Sequence, residues 1–311
     1  MILKLFSSLM LGNIRLPNRL VYNAQPSGCA TPDGFVSRDL TKYYLNRAHG
    51  GAGLVVLEPT FILPPRDHAT PHLGLYDDAQ VSDMHQLVGA LHDAGAAVLV
   101  MLDQPLWTPQ LAERDLREIG EAFITAAWRV RASGADGIML STVDGGPFEQ
   151  LISPLRNQRR DGYGGSVSGR SQLLREVVEG IECWIGSQFI VGVRLNAEEF
   201  TPGGLSLQDA RLLATRLASA GVRLLEIQAQ AASDMPIAHF PGWCVPMAAG
   251  IKAVVDIPVM VGGLLDDAAL ADSVLRDGGA DLISVGARMR VEPDWPHQAH
   301  AYLSQREAFS D

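Results

Sequence analysis

GGAGLVVLE, residues 50 to 58, combines three signals in nine residues: a helix stops, the chain turns, and an apolar strand begins. Glycine takes the left-handed conformation that closes a helix C-terminus. The unbroken Leu-Val-Val-Leu run is what a parallel strand covered on both faces requires. The same order of signals recurs as AGAAVLVML (94–102), SGADGIML (133–140), AGVRLLEI (220–227) and GGADLISV (278–285). With LVYN (20–23), FIVGVRLN (189–196) and PVMVGG (258–263), eight strands are indicated. Helical patterns lie between them, such as DLREIGEAFITAAWRVRAS (115–133) and SLQDARLLATRLASA (206–220). In the second, Ser206 is placed as N-cap and Asp209 in the first turn favours the helix dipole.

Eight strands alternating with helices predict an α/β fold, a closed (β/α)8 TIM barrel forming one domain over residues 1–311. Residues 1–18 read as an N-terminal strand pair that caps the barrel's bottom. An open doubly wound sheet is the alternative, but it places G-x-G-x-x-G after its first strand, and NAQPSG (23–28) lacks that pattern. A hydrophobic content of 47% with 19% charged residues suits strands buried on both faces. The net charge of −10 disfavours nucleic acid and anionic membrane as partners, because both call for a basic surface, and leaves a small-molecule substrate as the expected partner. Cys29, Cys183 and Cys244 are odd in number and widely spaced, which points to free thiols in a reducing compartment, with the cytoplasm as the expected location. No His or Cys spacing suits a metal. The opening MILKLFSSLMLG is too short and interrupted to span a membrane and carries no cleavage site.

In such barrels the chemistry sits at the carboxyl ends of the strands. Those ends hold Asn23 and Gln25, Glu58, Asp103 and Gln104, Ser141 and Asp144, Arg194 and Asn196, Gln228 and Gln230, Gly262 and Gly263, and Gly286 with Arg288. Arg194 ends an otherwise apolar strand and needs a partner if buried. That partner is an anionic ligand or a structural ion pair with Glu58 or Asp144. Asp144 reads equally as an acid/base carboxylate and as a cap of the following helix; Glu58 reads first as structural. Gln104 and Trp107 follow the third strand, and His239 and Trp243 lie in the loop after the sixth, where a substrate wall forms and where loop aromatics read equally as binding surface and as packing. Cys29 has no activating neighbour in sequence and reads as inert.

The segment GIMLSTVDGGPFEQLISPLRNQRRDGYGGSVSGR (137–170) resembles the flavin-dependent old yellow enzyme family. The likeness extends to LFSSLMLGNIRLPNRLV (5–21), YYLNRAHGGAGLVVLEPT (43–60) and the closing DLISVGARMRVEPDWP (281–296), so it covers nearly the whole chain. It implies FMN across the barrel mouth, reduced by NADH or NADPH, with hydride passed to an activated alkene. Two donors then polarise the acceptor carbonyl and a Tyr supplies a proton. By the same resemblance, Arg194 matches the arginine beneath the flavin N1–O2 edge, and Gly262, Gly263 and Gly286 match positions that approach the phosphate. Other positions depart. Asn23, Ala24, Gln25 and Pro26 stand where the family shows A-P-M-[TC], Met101 stands where it has Gln, and Arg288 is displaced by one residue. Ser141, Asp144 and Gly146 replace the donor pair and the Tyr. RNQRRDGYGGS (156–166) is, in the family frame, a structural brace tied by Asp161 and Tyr163. LDQPLWTPQLAERDL (102–116) passes directly to the next helix, so a lid found in relatives is missing and a more open mouth is expected.

Three functions stay open at this point. One is a divergent FMN-dependent oxidoreductase acting on a small conjugated or cyclic substrate. Another is a non-redox isomerase, lyase or cyclase, with or without FMN, using Asp144 or Glu58. The third is a non-catalytic partner subunit. Barrels of this sort pair through their outer helices, which makes a homodimer the default expectation.

Overall fold

The computed structural model describes residues 3–23, 25–65, 71–104, 110–143, 145–232 and 235–308, apart from the side chain of Glu307. Eight strands form the barrel: β1 (Leu20–Asn23), β2 (Leu54–Phe61), β3 (Ala97–Asp103), β4 (Gly137–Ser141), β5 (Ile190–Asn196), β6 (Leu224–Gln228), β7 (Val259–Val261) and β8 (Leu282–Ser284). Every neighbouring pair is parallel, and β1 pairs with both β2 and β8, so the sheet closes on itself. The covering helices are α1 (Arg38–His49), α2 (Val81–Asp93), α3 (Glu113–Ala132), α4 (Gln172–Ile185), α5 (Leu207–Ala220), α6 (Val245–Lys252), α7 (Ala268–Arg276) and α8 (Trp295–Ala308). The turn glycines read from the sequence adopt positive φ, from 74° at Gly278 to 120° at Gly221, as the left-handed helix stop demands. Ser206 caps α5, its hydroxyl accepting from Asp209 N at 3.2 Å.

Strand residues alternate between two cores. Leu20, Val55, Val100, Ile138 and Val193 face the helices, while Val21, Val56, Leu99, Met139, Leu224 and Met260 fill the lumen. An antiparallel hairpin of Leu9–Leu11 and Ile14–Leu16 closes the bottom. Its Leu11 and Leu16 are wholly buried against the lumen residues, each side chain worth roughly 1.5–3 kcal/mol of burial.

The loop after β4 is braced as the sequence predicts. Asn157 Nδ2 donates to the carbonyls of Leu151 (2.6 Å) and Tyr163 (2.7 Å), Arg170 Nε to that of Ile152 (2.8 Å), and Tyr163 Oη to Glu176 (3.0 Å). Arg159 pairs with Asp161 inside the same loop. These cations and carboxylates are therefore engaged in holding the loop. No described helix is long and apolar enough to cross a membrane.

Candidate active site

Side chains on a strand alternate, so one pleat above the apolar lumen the inward positions are Asn23, Glu58, Asp103, Ser141, Arg194, Glu226, Gly262 and Ser284. The barrel thus changes from oil to polar groups within about 7 Å of strand rise. At the centre of this ring is Glu226, which has no solvent exposure at all. Arg194 Nε donates to its Oε2 at 2.9 Å, Gln228 Nε2 donates to its Oε1 at 3.1 Å, and Asn23 Nδ2 also donates to Oε1. Strand register enforces the ion pair, because Arg194 on β5 lies directly beside Glu226 on β6. The sequence offers an anionic ligand, Glu58 or Asp144, the last of which lies outside the described residues, as the partner of Arg194 and passes over Glu226. Its signal was present: one acidic residue inside the apolar run AGVRLLEI, two places after the lumen residue Leu224.

Glu58 is engaged elsewhere. Its Oε2 accepts from Ser27 N (3.0 Å) and from Tyr44 Oη (3.2 Å), tying the β1–α1 loop to α1. Burial pushes its carboxyl above the usual range, against the lowering effect of the Ser27 and Tyr44 hydrogen bonds. The side chain does not line the cavity at the mouth. Ser141 Oγ donates to Val143 O (3.0 Å) and accepts from Val143 N (3.2 Å), which fixes the turn after β4. Asp103 accepts from Gln104 N at 2.8 Å, and Gln104 Oε1 accepts from Leu63 N at 3.0 Å. A Cβ built on Gly146 would run into Asp103 Oδ1, so no side chain at position 146 is compatible with Asp103 in this place. Asp144 and Trp107 lie outside the described residues.

A cavity of about 370 Å³ opens at the mouth, within the range of small-molecule and cofactor sites. Its lining includes Asn23, Arg194, Glu226 and Gln228 and, beside them, Gly262, Gly263, Gly286 and Arg288. Gln25 and Gln230 also border it. Residues Gly286–Val291 form a short helix, so Arg288 lies on a helical turn where a continued strand would have turned it away. It borders the cavity and pairs with Glu292 at 2.9 Å. The glycines have packing reasons of their own. A Cβ at Gly286 would sit 2.5 Å from the Asn23 carbonyl oxygen, and one at Gly263 (φ 89°) would sit 3.2 Å from the Trp243 ring. Trp243 therefore backs the glycine wall and packs near Phe200, while His239 is exposed and is not part of the cavity lining. Burial pushes the Cys244 thiol up to about 12, and Cys29 packs against the core with its Sγ bonded to Ser27 O at 3.6 Å.

The donor set bears on what the cavity holds. Asn23 Oδ1 is buried and has no hydrogen-bond partner among the described residues, an acceptor that a ligand N–H would satisfy. The same cavity is lined by the Arg194 cation, by glycine backbone and by Arg288. A planar heterocycle carrying both N–H and C=O groups and an anionic tail fits this set of groups, and FMN is such a molecule.

The family model described as NADH:flavin oxidoreductase / NADH oxidase family matches residues 4–108 and 101–306. The chain belongs to that family. The two matched stretches meet at 101–108, the segment after β3 that reads as shortened in the sequence. Among relatives, the chain is 30% identical to an NADPH dehydrogenase of Geobacillus thermodenitrificans, over 95% of this chain and 93% of that protein. It is 31% identical to an NADH oxidase of Thermoanaerobacter brockii over 95% of this chain, but spans only half the length of that relative. The old yellow enzyme homologue from Zymomonas mobilis has the same fold, with a TM-score of 0.80 at 22% identity over 96% of this chain and 92% of that one. Membership in the flavin oxidoreductase family and the barrel architecture thus agree with the resemblance read from the sequence.

Proposed function

We propose that this chain is an FMN-dependent oxidoreductase that takes electrons from NADH or NADPH and delivers them to a small-molecule acceptor. The observation that carries the proposal is one cavity at the mouth lined both by Arg194 and Asn23 and by the glycines of β7 and β8 with Arg288. When bound, FMN supplies two-electron hydride chemistry between nicotinamide and acceptor. Arg194 and Asn23 hold the polar edge of its ring, Asn23 accepting through the Oδ1 that is otherwise unsatisfied. Gly262, Gly263 and Gly286 let the backbone approach the phosphate, and Arg288 adds charge there. Gln25 and Gln230 lie at the rim, on the side open to a substrate.

The acceptor is narrowed by what these residues leave out. Gly146 cannot donate a proton, and Ser141 is held by Val143. Neither of these described residues delivers a proton, so acceptors that can take their proton from water suit the described site best. The test is anaerobic mixing of the FMN-loaded chain with NADH and with NADPH. Bleaching of the flavin absorbance by at least one of them is expected; retained colour with both overturns the proposal.

A further inference from the structure

Glu226 is placed to do more than neutralise a stray charge. Its carboxylate is wholly buried, both oxygens are occupied, and the register of β5 against β6 sets Arg194 beside it without freedom to part. Neutral amides of Asn23 and Gln228 supply the remaining bonds, so the cluster of Arg194, Glu226, Asn23 and Gln228 carries no net charge between its two ions. The same Asn23 borders the cavity, and its other amide atom, Oδ1, is buried without a hydrogen-bond partner among the described residues. Any ligand edge that meets Arg194 therefore meets an ion pair and its amide clamp, not an isolated cation.

We propose that Glu226 is a positioning residue that acts through Arg194, and that its counter-charge sets the reduction potential of the bound flavin below the value an uncompensated arginine would impose. The inference rests on the FMN reading given above. Uptake of two electrons and one proton by the oxidised ring leaves one added negative charge on it. A fixed cation nearby favours that charge and a fixed anion opposes it, with large effect in a site shielded from water. Glu226 cancels much of the favour that Arg194 would extend, and does so permanently, since the pair is part of the sheet.

The experiment is a reductive titration, against dyes of known potential, of the FMN-loaded wild type, Glu226→Gln, Arg194→Gln and the double variant. Glu226→Gln is expected to shift the reduction equilibrium toward the reduced flavin by at least tenfold, about 30 mV for a two-electron couple. Arg194→Gln is expected to shift it the other way, and the double variant to return within about threefold of wild type. If Glu226→Gln does not fold, the double variant still decides the matter, because it removes both buried charges together and leaves neither unpaired. A potential unchanged in Glu226→Gln, or a double variant as low as Arg194→Gln alone, overturns the proposal. Failure of the wild type to take up FMN contradicts the FMN reading and removes the ground for this one; uptake with unshifted potentials contradicts this one alone.

Discussion

The lower half of the barrel lumen is filled by Val21, Val56, Leu99, Met101, Leu224 and Met260, closed from below by Leu11 and Leu16. One pleat further along the same strands the inward positions include Asn23, Asp103 and, side by side on β5 and β6, Arg194 and Glu226. In the lower half any apolar side chain of the right volume serves, because burial is non-directional. In the upper half each polar atom needs a particular partner, so identity is fixed by hydrogen-bond geometry and charge. The division shows that the barrel is stabilised from below and made specific from above, and perturbing each half separately tests it.

The largest effect is expected from Arg194→Ala, which leaves the Glu226 carboxylate buried without its cation and should lower stability by about 3–5 kcal/mol in chemical denaturation. FMN uptake should fall with it. Leu99→Ala, in the lower half, should cost about 2–5 kcal/mol through lost burial and a residual cavity. Here FMN affinity should stay within about twofold, and a large loss of affinity would break the division between the halves. Gly286→Ala puts a methyl group 2.5 Å from the Asn23 carbonyl oxygen, and overpacking of this kind costs about 1–3 kcal/mol. Because it pushes on β1 at Asn23, it should weaken FMN binding more than Leu99→Ala does, although its effect on stability is smaller.

The smallest effect is a pH dependence. Burial raises the Glu58 carboxyl above its unfolded value, so the folded chain binds the proton more tightly than the unfolded chain. The contribution is fully present below the unfolded value and is lost as pH rises through the raised folded value. Glu58→Gln abolishes this titration. The stability of the wild type relative to the variant should therefore decline as pH rises through that window; a difference that grows with pH would contradict the assignment.

Much of the fold was legible because its signals are local. Each turn glycine, cap and apolar run acts within a few residues, and the eight strands follow from such runs, whereas the loop brace with Asp161 and Tyr163 follows from the family resemblance. The upper half was less legible because its partnerships cross strands. Arg194 announces a need for an anion, but only the register between β5 and β6 says that Glu226 meets it. Glu226 itself is hidden by the apolar residues on either side. Glycine is ambiguous in another way: at Gly286 the missing side chain reads as room for a phosphate, while the Asn23 carbonyl already requires it. Gly146 likewise reads as a lost proton donor, and Asp103 turns out to occupy the space any side chain would need.

The polar upper half, with the Arg194–Glu226 pair, the glycines of β7 and β8 and Arg288, is the proposed FMN site. Calorimetric titration of the purified chain with FMN, and separately with riboflavin, tests it most directly. One FMN per chain should bind, and riboflavin, which lacks the phosphate, should bind at least tenfold more weakly. Absence of FMN binding, or equal affinity for the two, would contradict the account.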